Sequence, residues 1–146
     1  MEFLKYNDLY FGKCLQLFNE NCPEYFAENE REDYMNFLEG NPSGYFIGVS
    51  DGSVVSAFGI ISTPESSRTR LSWILVSPQF KGRGIGVKMM SYAKKTALKN
   101  GSLAIDIAAS HLSSSFFTKF GAEELKITQN GWGPDMHRVD MEIVLE

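Results

Sequence analysis

Thiols and imidazoles are both scarce in this sequence: Cys14 and Cys22 are the only cysteines, and His111 and His137 the only histidines. Two cysteines so close together cannot found a disulfide framework, so they read as free thiols of a reducing compartment. No His, Cys, Asp or Glu cluster has metal-ligand spacing, and no Gly-x-Ser-x-Gly nucleophile elbow occurs. Basic charge is short as well. With 14 Lys and Arg against 18 Asp and Glu, the net charge is −4 and the pI is near 5.2. A nucleic-acid partner needs a basic face and is not expected, whereas a cationic amine substrate is compatible. No apolar run approaches membrane-spanning length and no basic-apolar leader opens the chain, so the expectation is a cytoplasmic protein without a membrane partner. Repeats, low-complexity tracts and linkers are also missing. With 43% hydrophobic residues, the 146 positions read as a single domain over 1–146.

What is present begins with a short strand, Glu2 to Tyr6. Asp8 offers a helix cap, and Leu9, Cys14, Leu15, Leu17 and Phe18 give a helical face up to about Asn21, broken by Cys22-Pro23. A loop dense in carboxylates and aromatics (Glu24 to Glu30) precedes a second helix, roughly Arg31 to Leu38, closed by Gly40-Asn41-Pro42. Strands follow at Gly44 to Ser50 and Val54 to Thr63, joined by the hairpin signal Asp51-Gly52, and then at Thr69 to Val76. A central helix from about Gly84 to Lys99 buries Ile85, Met89, Tyr92, Ala93 and Thr96, with Ala97 at the edge. The nearly unbroken apolar run Leu103 to Ala109 predicts a strand covered on both faces. A short helix lies within Ser110 to Phe120. Last strands at Glu124 to Gln129 and Arg138 to Leu145 flank a loop, Asn130 to Met136.

Between the third β run and the central helix lies the most informative stretch: Leu71 to Val76 lead through Ser77-Pro78-Gln79-Phe80 into Lys81-Gly82-Arg83-Gly84-Ile85-Gly86-Val87. An apolar strand feeding a glycine-rich turn that opens a helix is an anion site, because the turn and first helical N–H groups lack partners and the helix dipole adds positive charge. Gly82, Gly84 and Gly86 allow close backbone approach, while Lys81, Arg83 and Lys88 add charge. A pyrophosphate-bearing ligand is expected. The Gly-Lys-Ser/Thr ending of a P-loop is missing, and the glycines stand at Gly-x-Gly-x-Gly rather than the dinucleotide Gly-x-Gly-x-x-Gly.

The stretch resembles the acyl-CoA signature of the GNAT superfamily of N-acetyltransferases, R/Q-x-x-G-x-G/A, with Lys81 in the first position. Val76-Ser77-Pro78 before it and Phe116-Phe117-Thr118-Lys119-Phe120-Gly121 after it also fit, and the likeness covers most of the chain. The resemblance implies a single-domain α/β (α+β) fold, a mixed central sheet splayed near its middle and flanked by helices. It implies acetyl-CoA as co-substrate, no metal, and transfer of acetyl to a primary amine of a small molecule by direct attack on the thioester. A homodimer is compatible with it.

Residue by residue, the resemblance places the backbone N–H of Ile74 at the acetyl carbonyl, as the oxyanion donor, and puts Ile74, Leu75 and Val76 along the pantetheine. Lys81, Gly82, Arg83, Gly84, Ile85, Gly86 and Val87 hold the pyrophosphate, with Ser110 and Phe117 also on the cofactor. Two family features are missing. The strand positions that would carry a base read Arg68, Arg70 and Ser72, and the tyrosine that would protonate the thiolate is Phe117. His111, just past the buried strand, is the candidate base. His137, Glu24, Glu28, Glu30 and Glu65 are further candidates for handling a proton or a cationic acceptor. Tyr25, Phe26, Ser72 and Trp132 are the candidate acceptor contacts. Two other readings stay open: a CoA-binding module without catalysis, and an enzyme for protein N-termini or lysines. An open groove rather than a closed pocket beside Trp132 would favour the latter.

Overall fold

The computed structural model describes residues 1–145. Its strands are β1 (Glu2–Lys5), β2 (Tyr45–Ser50), β3 (Ser53–Ser62), β4 (Arg68–Val76), β5 (Ala104–Ser110), β6 (Glu123–Gly133) and β7 (Met136–Val144). Its helices are α1 (Phe11–Asn21), α2 (Glu30–Glu39), α3 (Ile85–Lys99) and α4 (Ser114–Thr118). The strands form one seven-stranded sheet in the order β1-β2-β3-β4-β5-β7-β6. Neighbours are antiparallel except β4 and β5, whose parallel pairing requires the crossover that α3 provides. The mixed sheet with flanking helices and the expected order of elements are both present.

Local chemistry explains the elements. Asp51 and Gly52 take φ of 50° and 80°, the doubly left-handed turn that matches strand twist in the β2–β3 hairpin. The chain enters α1 through a 3-10 turn, Asp8–Tyr10, and the cap is Asn7, not Asp8: the Asn7 side chain accepts from Leu9 N at 2.9 Å. That extra turn shifts the helical phase, so Leu9, expected on the buried face, is 86% exposed. The α1 stripe becomes Cys14, Leu17, Phe18 and Asn21. On α3 the buried residues are Ile85, Met89, Met90, Ala93 and Ala97; Tyr92 and Thr96 sit half-buried at its border.

Helices α3 and α4 cover one face of the sheet, and α1 and α2 cover the other over β1 to β4. The second face is left open in the middle of β5, at the half-buried Asp106 and Ala108, although Ala104 and Ser110 at its ends are buried. There Ile105, Ile107 and Ala109 alternate into the core, while Leu103 lies outside the strand and is 67% exposed. Asp106 stands on the open face, paired in register with Glu142 of β7. Arg68 reaches across both: its Nε donates to both oxygens of Asp106 at 3.1 Å, and its Nη2 bonds Asp106 and Glu142. The apolar run of the sequence therefore has one core face, not two. The expected loop 130–136 is also mostly strand. β6 continues to Gly133 by absorbing an irregularity between Thr128 and Gly133, with Asn130 left-handed at φ 53°, and the turn contracts to Pro134-Asp135.

This register predicts unequal costs for two leucine-like positions that look alike in sequence. Ile105→Ala removes a fully buried side chain and should lower stability by about 2–5 kcal/mol. Leu103→Ala should change it by less than about 0.5 kcal/mol. Urea unfolding of both variants checks this; equal losses would mean the strand faces the core differently.

Candidate active site

The site opens where the sheet comes apart. β4 pairs with β5 only from Arg68 to Leu71, opposite Ala104 to Ile107. Beyond that the strands diverge, and a cavity of about 730 Å³ fills the gap and runs to the start of α3. Its walls carry Ile74 and Val76 on one side and Ala108 and Ser110 on the other.

A bulge in β4 shapes this gap. Leu75 pairs with Ala57 and Ser72 with Gly59, so two residues, Trp73 and Ile74, stand opposite Phe58 alone. Trp73 adopts φ 48°, a left-handed conformation uncommon for a large side chain. Neither residue is paired in register with β3 or β5. Leu71 consequently packs on the α3 side and Leu75 on the α1–α2 side. Leu75 is core, 1% exposed, and does not line the cavity.

At the other end, Gly82 and Gly84 have φ of 83° and 77°, and a Cβ at either would meet no atom within 4 Å. Their backbone is open to a ligand, and Gly84 caps α3 by accepting from Lys88 N at 3.1 Å. Gly86 is a glycine for another reason: a Cβ there would lie 2.6 Å from the Phe116 ring. Lys81 lines the cavity with its Nζ 3.8 Å from the Tyr25 ring centre, whereas Arg83 folds over Phe80 at 5.0 Å and stays outside. Ser110 and the buried Phe117 both line the cavity; Ser110 Oγ bonds Ser113 Oγ at 3.1 Å. The open glycine backbone and unpartnered helix start fit a pyrophosphate. Among the described residues the cavity carries Arg70, Lys81, Lys119 and Arg138 against one carboxylate, Glu30, reversing the sign of the whole chain.

Tyr25, Phe26, Ser72 and Trp132 all line the cavity, but Tyr25 lies against Lys81 of the glycine turn and so apart from the acceptor contacts it was expected to join. Phe26 stacks on Trp73 at 6.2 Å. Trp132 Nε1 donates to Ala109 O at 2.9 Å, and Arg138 lies over its ring at 5.0 Å. Asn29 Nδ2 donates to Trp132 O at 2.8 Å, so the segment before α2 meets the β6–β7 hairpin. Asn21, unsuspected from sequence, lines the wall and donates to Val76 O at 3.1 Å and Leu17 O at 2.8 Å. Its signal was a polar residue continuing the apolar α1 stripe.

His111 is not among the residues the cavity assembles. Its side chain is exposed, its N–H donates to His137 O at 3.0 Å, and its Nδ1 accepts from His137 N at 3.1 Å. The two histidines extend the β5–β7 ladder, with His137 Nδ1 accepting from Asn130 N. His111 thus lies outside the cavity although its neighbours Ser110, Leu112 and Ser113 line it, and this geometry lends no support to its expected role as a base. Glu28 pairs with Arg31 on the surface. Glu30 is the buried one, 5% exposed. Its Oε2 accepts from Ala27 N at 2.8 Å while its own N donates to Ala27 O at 2.9 Å, a closed turn leading into α2. Burial pushes its carboxyl up to about 7, reinforced by Asp33 and opposed by the Ala27 N–H.

The chain belongs to the GNAT family of acetyltransferases: the model of that family matches residues 13–122. Acetyl-CoA is the co-substrate that goes with this membership. In fold the chain is similar to an aminoglycoside 6'-N-acetyltransferase complexed with coenzyme A (TM-score 0.76, 15% identity, covering 99% of this chain and 97% of that one). It is also similar to Ard1 from Thermoplasma volcanium (0.83, 14%, 99% and 97%) and to ribosomal-protein-alanine N-acetyltransferase from Brucella melitensis (0.71, 16%, 99% and 100%). No curated protein sequence matches it. Among the described residues no group of three His, Cys, Asp or Glu side chains could hold a metal ion, and no helix is long and apolar enough to cross a membrane.

The raised Glu30 carboxyl makes stability pH-dependent. The folded state holds its proton up to about pH 7 while the unfolded chain releases it near 4.5, so stability falls as pH rises through this window. Glu30→Gln keeps an oxygen for the turn and removes the titration. Its unfolding free energy should gain on the parent's between pH 5 and pH 8, by about 1–3 kcal/mol at the top of the range. A constant difference across this range would contradict the burial of an ionisable group.

Proposed function

We propose that this chain transfers the acetyl group of acetyl-CoA to a primary amine of a small molecule, by direct attack of the amine on the thioester. What supports the small-molecule reading is the bond from Asn29 to Trp132 O, which ties the segment before α2 to the β6–β7 hairpin beside the cavity. Acetyl-CoA supplies the activated acetyl thioester; the chain's residues supply position, charge and proton transfer. Residues 82–87 hold the pyrophosphate through backbone N–H groups, aided by Lys81 and, after reorientation, Arg83. The backbone of Ile74 and Val76 runs along the pantetheine, with Ser110 and Phe117 on its far side. Ile74 N–H, outside both ladders, donates to the acetyl carbonyl as charge develops there. Phe117 contributes packing and no proton.

Glu30 takes the role first given to His111. A carboxylate with a pKa near neutrality, one oxygen held by Ala27 N–H and the other without a protein partner among the described residues, is suited to accept the amine proton directly or through water. Phe26, Ser72 and Trp132 wall the acceptor, while Tyr25 stands with Lys81 at the pyrophosphate end. Arg70 lines the acceptor end and has no ion pair among the described residues, since Arg68 takes Asp106 and Glu142. That charge favours an amine that also bears an acidic group over a polyamine, which revises the compatibility read from overall charge.

Three experiments test this. Calorimetry should show CoA binding to the parent and a loss of at least about tenfold, 1.4 kcal/mol, in Gly84→Asp, whose carboxylate would stand in the phosphate cradle; equal affinities would remove the turn from the site. A thiol-release screen should find turnover with carboxylate-bearing small amines before polyamines or peptides. With the acceptor in hand, Glu30→Gln should lose about 10²–10⁴ in kcat/KM together with the acid limb near pH 7. Turnover of peptides alone would overturn the small-molecule reading.

A further inference from the structure

Behind the bulge lies a buried hydroxyl chain that the transfer chemistry above does not use. Tyr45 on β2 is 1% exposed and Tyr34 on α2 is 0% exposed. Tyr45 Oη donates to Trp73 O at 2.7 Å, and the two tyrosine oxygens are 2.8 Å apart. Each hydroxyl has one proton. The Tyr45 proton is committed to the carbonyl, so Tyr34 must be the donor between them, and the chain has a single direction: Tyr34 to Tyr45 to Trp73 C=O. Cys14, fully buried, stands behind Tyr34 in the same cluster. Burial holds both phenols well above their ordinary pKa, so they stay neutral donors across the working range.

The carbonyl they grip belongs to the peptide whose N–H is that of Ile74. A trans peptide is planar, with C=O and N–H pointing in opposite directions, so fixing one fixes the other. Nothing in the sheet does this job, because Trp73 and Ile74 lie outside both ladders. Turning this one peptide plane needs only ψ of Trp73 and φ of Ile74 to change, and Trp73 already sits at an uncommon φ of 48°. We infer that Tyr45, backed by Tyr34, is a positioning residue for acetyl transfer: it pins the Trp73–Ile74 peptide with its oxygen inward and its N–H toward the cavity. This rests on the reading of Ile74 N–H as the donor to the acetyl carbonyl. A hydrogen bond at the oxygen also polarises the amide and strengthens the N–H as a donor. Tyr34 matters less, since it orients the Tyr45 hydroxyl without touching the peptide.

Tyr45→Phe removes the grip and keeps the ring, whose edge contacts with Tyr6, Tyr34 and Phe37 remain. Three readouts are needed: the ¹H–¹⁵N resonance and exchange rate of Ile74 in ligand-free protein, the KM for acetyl-CoA, and kcat. Tyr45→Phe should shift the Ile74 amide and speed its exchange while the Ile47 amide of β2 stays put. It should lower kcat by about ten- to a hundredfold, short of the loss of an oxyanion donor, and leave the acetyl-CoA KM within about twofold. Tyr34→Phe should move Ile74 in the same direction by less, and it carries the test if Tyr45→Phe does not fold. An unmoved Ile74 amide overturns the grip. A displaced Ile74 with unchanged kcat overturns instead the reading of Ile74 as donor, and with it the catalytic role of Tyr45. A rise in KM matching the fall in kcat, with Ile47 disturbed as well, would make the tyrosines structural only.

Discussion

One extra residue in β4 governs the rest of the molecule. Up to Leu71 the strand is ordinary sheet, paired on both sides and buried against α3. The bulge at Trp73-Ile74 reverses which face each later side chain takes, so Leu75 enters the α1–α2 core while Ile74 and Val76 turn to the cavity. The same irregularity ends the β4–β5 ladder and leaves a gap the width of a ligand. A left-handed tryptophan costs on the order of 1–3 kcal/mol. It is offset by packing: the Trp73 ring lies 5.0 Å from Tyr34, 6.2 Å from Phe37 and 6.2 Å from Phe26. Each such aromatic pair contributes about 0.5–1.5 kcal/mol beyond its buried area.

Charge is sorted by the same geometry. The open face of β5 and β7 would set Asp106 and Glu142 side by side, and Arg68 neutralises both. Because Arg68 is consumed there, Arg70, two residues along on the same face, is left to the cavity. Glu30 is the opposite case, a carboxylate drawn into the wall by the turn it closes before α2. Local pairing, rather than net charge, decides what this pocket can recognise; an acidic chain here presents a predominantly basic cavity.

Period and punctuation made much of the fold legible. Asp51-Gly52, Gly101 and Gly121 mark real turns, and the α3 stripe of Ile85, Met89, Ala93 and Ala97 follows from its spacing. The glycine turn of the candidate site was legible too, because the left-handed, unobstructed backbone at Gly82 and Gly84 is marked by the glycines themselves. What sequence could not carry was anything set by a partner far along the chain. The 3-10 turn that exposes Leu9, the open face of β5 and the mutual bonding of His111 and His137 all depend on contacts with no local signature. Glu30 looked like one surface carboxylate among several in an acidic loop, since its burial is created by the fold around it. Tyr34 and Tyr45 were invisible for the same reason: eleven positions apart, they meet through their hydroxyls only once α2 lies on β2.

The acceptor wall and the bulge are therefore parts of one packed unit. Phe26, which lines the acceptor end, stacks on Trp73, and Trp73 is the residue whose backbone forms the bulge. Phe26 also touches Phe18 of α1, and Phe18 stacks on Tyr34, the hydroxyl at the head of the chain that reaches Trp73 O. The ring path and the hydroxyl path start from α1 and α2 and converge on the same peptide. Phe26 thus joins the cavity wall to the residue that forms the bulge, and a substitution at Phe26 keeps the bulge packed only if it preserves that stack. The helices that close the pocket are also the ones that hold the bulge in shape.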